Sequence, residues 1–451
     1  PQFFERSVKG AQYVLSENII QQFKECEDVF LVNSDRFAYF PISVRERKVI
    51  YYNILSYWYN FLTSRKIDLI FFEATPHMGW DTVLYYAAKH CETRILILER
   101  TSIEDQMLLV DGVAQMESVP EGYLLSKTKR ELVDLVGQDF YQTVFKDSYW
   151  LKRSKDINAG SKNSKGLRKR LRSLFDLTGE ILNPGNYFRK ELQSAYAYNG
   201  FVNRGRFIWF EQFRKWQVCR LSKYYRAMTQ KVNFENKYIF FPLQSQPERT
   251  SIPLGGSFEY QALVIEILSK AVPADWKIYV KEHPRQFRRP SIGGIHYRDK
   301  KFYDRIRAAP NIVLVDIDED SNKLLQHAQC VATLTGSAGW ESILMGKACM
   351  VFGSPWYSGC RSCLRVHSVE SCCTALGAIQ RKTKDEVELD LLRFLAYYKL
   401  KFIHSTNMQI FAEKSQKSSD ELASNLARAL MASAEYGQGQ FATTQDEKVT
   451  L

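Results

Sequence analysis

The run VATLTGSAGWESILM, residues 331 to 345, decides the fold. Val331 to Leu334 has the length and apolar character of a buried strand, and Trp340 to Met345 opens a helix. Between them, Thr335-Gly336-Ser337-Ala338-Gly339 is a loop of small and hydroxyl side chains. Strand, small loop and helix in that order form the repeating unit of a parallel sheet with helices on its faces.

The alternation extends in both directions. Upstream it predicts strand Tyr238 to Leu243, helix Phe258 to Ala271, strand Lys277 to Val280, helix Phe302 to Ala308, strand Ile312 to Val315 and helix Asn322 to Ala328; downstream, strand Cys349 to Phe352. Nearer the N-terminus, Asp28 to Asn33 reads as a strand, and Ser43-x-x-Glu46 as a capping box opening a helix through about Leu62. Strand Ile67 to Phe72, helix Trp80 to His90 and strand Arg94 to Leu98 follow. The fold class is therefore α/β, with two Rossmann-like domains facing a cleft. The expected divisions are 1–150, a basic linker and aromatic helical region 151–236, a second α/β domain 237–384, bracing C-terminal helices 385–436 and a disordered tail 437–451.

At 451 residues, 45% hydrophobic and 25% charged, the chain has the composition of a folded protein with more than one core. It lacks the roughly 18 uninterrupted apolar residues of a membrane span and a charged-then-apolar leader, so a soluble, cytoplasmic protein is expected. The nine cysteines are odd in number and scattered, which suits reduced thiols better than a disulfide framework. Cys360-x-x-Cys363 with Cys372-Cys373 is the one metal-like spacing, but it lacks a second C-x-x-C. Asp316-Ile-Asp318-Glu319-Asp320 reads as a cap for the helix near Asn322 rather than a metal motif. No metal or cofactor is required.

Net charge is +12. Nine Lys or Arg stand between Lys152 and Arg172 against Asp156 alone, and the aromatic stretch Tyr196 to Tyr225 is interleaved with Arg204 to Arg226. That stretch is either an interdomain packing helix or an element for an anionic membrane surface.

Ligands of open α/β sheets bind beyond the carboxyl ends of the strands. Three loops of the second domain lie there. Gln244-Ser-Gln246-Pro-Glu248-Arg249-Thr250 places a carboxylate beside Arg249 and continues to Gly255-Gly256. Lys281-Glu282-His283-Pro284 precedes Arg285, Arg288 and Arg289; a His among bases at a strand end can donate to a departing phosphate. In Thr335 to Glu341, small residues let backbone N–H groups meet a phosphate at the helix N-terminus, with Glu341 in the first turn available to ribose hydroxyls. Glu73 and His77, closing the strand Ile67 to Phe72, are candidate acid or base for the acceptor.

QPERTSIPLGG, VKEHP and TGSAGWESILMGKACMVFG followed by Pro355-Trp356-Tyr357 resemble the bacterial capsule polysaccharide biosynthesis family, over roughly Tyr238 to Tyr357. The resemblance implies a Kps-type glycosyltransferase of GT-B architecture that uses CMP-Kdo and acts on a capsule, O-antigen or lipid-linked glycan. It places Lys281, His283 and Pro284 at the donor nucleotide, with Thr335, Gly336 and Ser337 at its phosphate and Glu341 at the ribose. It makes Glu248 the nucleophile of a retaining double displacement, and gives Gln246, Arg249, Thr250 and Arg285 contacts to phosphate or sugar acid. The implied partners are a nucleotide sugar and a glycan or glycolipid, with peripheral inner-membrane contact and no nucleic acid. The alternatives are a UDP-sugar 2-epimerase and a non-enzymatic basic protein that binds polyanions.

Overall fold

The computed structural model describes residues 14–37, 43–145, 204–288, 294, 296–405 and 418–436. The basic run 152–172 and the tail 437–451 lie outside them.

Two sheets organise the chain. Six parallel strands form the larger: β4 (Tyr238–Pro242), β5 (Lys277–Lys281), β6 (Ile312–Val315), β7 (Cys330–Thr333), β8 (Cys349–Val351) and β9 (Cys363–Arg365), in the order β6-β5-β4-β7-β8-β9. Central β4 has Tyr238 to Phe241 wholly buried, as a strand covered on both faces must. Helices Ala262–Ala271, Lys300–Arg307, Ser337–Leu344 and Val369–Arg381 cover the sheet. Asp320 caps the helix Ser321–His327 by accepting from Asn322 N at 2.9 Å, the role its sequence position suggests.

The smaller sheet is mixed. Strands β1 (Leu69–Phe72) and β2 (Arg94–Arg100) run parallel, while β3 (Gln106–Val110) and β10 (Ile403–His404) add antiparallel in the order β1-β2-β3-β10. The expected capping box opens helix Val44–Thr63, with Ser43 and Glu46 exchanging backbone bonds. Such a cap is worth about 1 kcal/mol. Helix Trp80–His90 has the expected bounds.

The expected strand Asp28 to Asn33 is instead the end of helix Lys24–Asn33. Its buried residues Cys26, Glu27, Phe30 and Asn33 recur every three or four positions, which is the helical period. A six-residue window around Phe30 was too short to show it.

The chain's C-terminal part returns to the first sheet. Helix Lys384–Tyr398 packs on helix Lys129–Val136, and Ile403 pairs with Met107. Trp340, Trp356 and Phe394 stack in sequence, with ring centroids 4.6 and 5.8 Å apart, between the large sheet and that returning helix.

Candidate active site

All three loops leave the same edge of the large sheet, after β4, β5 and β7. The loop after β4 is held by β7's loop. Around Gln244 the amide orientation that satisfies both ends has Oε1 accepting from Thr335 N (2.9 Å) and Gly336 N (2.5 Å), and Nε2 donating to Thr250 O at 3.1 Å. Thr335 Oγ1 also donates to Thr250 O, at 2.5 Å. Thr335 and Gly336, expected at the donor phosphate, therefore spend these groups in joining one loop to the other. Gly336 suits this crowding, since a Cβ there would lie 2.9 Å from both the Gln244 side-chain amide and Thr333 Oγ1.

Gly336 is the N-cap of helix Ser337–Leu344. The first-turn N–H groups of Ser337 and Ala338 have no acceptor within the helix and sit half-buried at its positive end. Because the helix starts three residues earlier than expected, Glu341 lies one turn in, on the same face as Ser337. Tyr357 OH donates to Gly336 O at 2.5 Å and locks the turn from behind.

After β5, neighbouring side chains divide their tasks. Lys281 is buried, donates to Glu319 O and Ser321 Oγ at 2.6 Å each, and has its pKa lowered to about 8 by burial. Two of the three N–H donors of its ammonium are spent on the loop after β6. The carboxylate of Glu282 is fully buried. His283 is exposed and Pro284 begins helix Pro284–Arg288. The Arg285 backbone N–H donates to His283 Nδ1 at 3.1 Å, so Nδ1 is the acceptor and the neutral ring carries its proton on Nε2.

Arg285 Nη1 pairs with Glu248 Oε1 at 2.8 Å. Burial raises the Glu248 pKa; Arg285 and then Arg36 oppose that shift. Gln246 is buried, donating to Glu259 O at 2.8 Å and accepting from Gln261 Nε2 at 3.0 Å, so it is part of the scaffold.

The first half faces these loops with the ends of β1 and β2. Arg249 Nη1 reaches Glu99 Oε2 at 3.4 Å, and that oxygen also accepts from Thr75 Oγ1 at 2.5 Å. Trp356 Nε1 donates to Ser102 Oγ at 3.2 Å, a second contact between the halves. In the loop after β1, Asp81 accepts from His77 N and Met78 N, fixing the turn.

His77 Nδ1 lies 2.6 Å from Thr75 O. A carbonyl only accepts, so Nδ1 carries the proton and Nε2 the lone pair. Burial above all, then the charge of Arg36, pulls the His77 pKa down to about 4. The two histidines hold opposite tautomers: His283 presents a donor and His77 an acceptor. Glu73 is exposed.

Sequence reading passed over Arg36, Glu99 and Arg298. Glu99 is the penultimate residue of β2, a strand-end position like that of Glu73 after β1. Arg36 follows the segment misread as a strand, and Arg298 sits in a stretch with no periodic signal. The cysteine cluster does not form one donor set: Cys372 Sγ lies 3.8 Å from Met350 Sδ, whereas exposed Cys373 points its sulfur to Ala271 O at 3.7 Å. Burial pushes the Cys360 and Cys372 thiols up to about 12.

The family model for capsule polysaccharide biosynthesis proteins matches residues 185–360. No curated protein sequence matches significantly. Among solved structures, a β-Kdo 2,4 transferase, KpsC of Thermosulfurimonas dismutans, is 12% identical, with TM-score 0.31 and coverage of 75% of this chain and 80% of that one. The β-Kdo 2,7 transferase of the same KpsC is 13% identical, with TM-score 0.33 and coverage of 86% and 91%. A UDP-GlcNAc 2-epimerase from Methanocaldococcus jannaschii is 8% identical, with TM-score 0.25 and coverage of 87% and 95%. Likenesses of this size fix no residue's role. The family match spans all three loops.

Proposed function

We propose that the chain is a glycosyltransferase that moves Kdo, or a related 2-keto sugar acid, from a CMP-activated donor to a capsule, O-antigen or lipid-linked glycan. The observation that carries the reading is the hydrogen bond from Arg285 N to His283 Nδ1, which leaves Nε2 as the donor nitrogen of an exposed ring at the carboxyl edge of the parallel sheet. A donor there, with Arg285 and the first-turn amides of Ser337 and Ala338, suits the phosphate of a departing nucleotide. Glu341, one turn further, suits ribose hydroxyls.

In the proposed reaction, Glu248 attacks the anomeric carbon and the bond from that carbon to the CMP phosphate oxygen breaks. CMP departs with its negative charge facing His283 and Arg285. An acceptor hydroxyl then gives its proton to His77 Nε2 and displaces Glu248 from the sugar, returning the carboxylate. The steps use no metal, because protein cations and helix amides meet the charge on the leaving group. The low His77 pKa keeps its lone pair available at neutral pH.

The test is calorimetric titration with CMP, UDP and GDP on the wild type and on His283→Ala, followed by transfer assays with CMP-Kdo. Selective CMP binding that depends on His283 supports the reading. Preference for UDP points to an epimerase, and no nucleotide binding points to a polyanion-binding protein.

Placement at the cytoplasmic face of the inner membrane belongs to the same proposal. Among the described residues no helix is long and apolar enough to cross a membrane. On helix Arg204–Met228, however, Trp209, Phe213 and Trp216 form an exposed stacked row, with centroids 5.4 and 5.8 Å apart. Exposed Lys215, Arg220 and Lys223 accompany it, and Arg220 lies over the Trp216 ring at 4.6 Å. Aromatic rings beside cations suit the headgroup region of an anionic bilayer.

A further inference from the structure

We propose that Arg298 is a positioning residue of the donor site, one that fixes the Glu248 loop against the His283 loop without touching ligand. Its side chain is 1% exposed. Nε donates to Glu282 Oε2 at 2.8 Å, Nη2 to Gln244 O at 3.0 Å, and Nη1 to Gln246 Oε1 and Tyr297 O. The guanidinium lies 4.4 Å over the Phe302 ring.

Glu282 completes the relay. Its Oε2 also accepts from Tyr303 OH at 2.7 Å, and its Oε1 accepts from the His283 backbone N–H at 2.8 Å. An unbroken series of hydrogen bonds therefore runs from Gln246, two residues before Glu248, through Arg298 and Glu282 to the backbone of His283. The loops after β4 and β5 cannot slide past each other while it holds.

The energetics favour positioning over simple stabilisation. A fully buried ion pair loses nearly as much solvation as it gains in attraction, so an apolar pair of similar volume stabilises a fold at least as well. The planar fork instead specifies one geometry, because four acceptors must lie at fixed directions around one guanidinium. Arg298 thus acts through His283 and Gln246.

This inference rests on His283 meeting the donor nucleotide, and its test keeps the two claims apart. CMP affinity is measured by calorimetry for wild type, Arg298→Lys, His283→Ala and the double variant, with Arg298→Met added if it folds. Lysine keeps the charge and loses the fork. Arg298→Lys is expected to weaken CMP binding about tenfold in the wild-type background and less than about twofold when His283 is already alanine. Equal losses in both backgrounds, or no loss in either, overturn the proposal.

Amide hydrogen exchange supplies a reading that needs no ligand. In Arg298→Lys the amides of Gln246 and His283 are expected to exchange at least about tenfold faster, with those of β4 and β5 unchanged. Unchanged exchange in the loops overturns the clamp even if CMP binds. Accelerated loop exchange in a protein that binds no nucleotide keeps the clamp and rejects the donor site.

Discussion

Arg249 Nη1 lies 3.4 Å from Glu99 Oε2, joining a loop of the parallel sheet to the end of a strand in the mixed one. Both side chains are largely buried, at 16% and 9% exposure, so either charge alone would be left in a poorly solvated place. Arg249→Met is expected to destabilise the protein by about 2 kcal/mol, and Glu99→Gln in that background to recover most of the loss, because the orphaned charge is removed. Urea unfolding of the four proteins gives the cycle; additive losses would show that the contact couples nothing.

His77 makes acid stability a direct test of its burial. Its folded pKa, about 4, lies below the ordinary histidine value near 6.5, so between these pH values the unfolded chain binds the additional proton. Stability from this group is therefore flat above about pH 6.5 and falls as pH drops toward 4, by roughly 3 kcal/mol at most. His77→Gln is expected to flatten that slope, read as unfolding free energy at pH 7 and pH 4.5. An unchanged slope would mean that His77 titrates normally.

The large sheet was legible because its strands are continuous apolar runs, each followed by loop residues of different composition. Tyr238 to Phe241 and Ile312 to Val315 announce themselves in this way. The short pairings were not: β9 contributes Cys363 to Arg365 and β10 only Ile403 and His404, too few residues for any period to appear. The loops could be located from sequence, but not the direction in which each side chain turns. Nothing in the sequence shows that Lys281 bonds Glu319 O and Ser321 Oγ, or that the Gln246 amide bonds Glu259 and Gln261. Such commitments depend on loops distant in sequence.

Glu248 separates chemistry from binding. Glu248→Gln is expected to reduce transfer from CMP-Kdo by on the order of 10³-fold while changing CMP affinity by less than about threefold. Burial raises its pKa and the charge of Arg285 opposes that shift, so the carboxylate is held as a nucleophile beside a cation. Turnover at the wild-type rate in Glu248→Gln would remove the carboxylate from the reaction.

The exposed row Trp209, Phe213 and Trp216 gives the membrane proposal its own test. Sedimentation with vesicles containing anionic lipid is expected to carry the wild type down at low salt and to fail with neutral vesicles. Trp209→Ser with Trp216→Ser should weaken the association at least about tenfold, since each indole buries a large apolar area at the interface. Equal association of the double variant would assign the binding to charge alone.

Gly339 and Tyr357 test whether the turn before Ser337 must be held from behind. A Cβ on Gly339 would stand well inside van der Waals contact of Tyr357 Oη and 3.1 Å from its Cζ. Gly339→Ala must therefore displace the ring whose hydroxyl bonds Gly336 O, and with it the N-cap of the helix that presents Ser337 and Ala338. Tyr357→Phe removes the bond and the atom of closest approach together while keeping the ring against Trp340. Gly339→Ala is expected to cost about 2 kcal/mol of stability, as overpacking in a filled core does, and Tyr357→Phe alone about 1 kcal/mol. Because the phenylalanine ring leaves room that tyrosine does not, the double variant should be more stable than Gly339→Ala alone. A double variant less stable than either single one would place the crowding elsewhere, against Thr333 Cγ2 at 3.2 Å, and leave Tyr357 a packing residue with no hold on the turn.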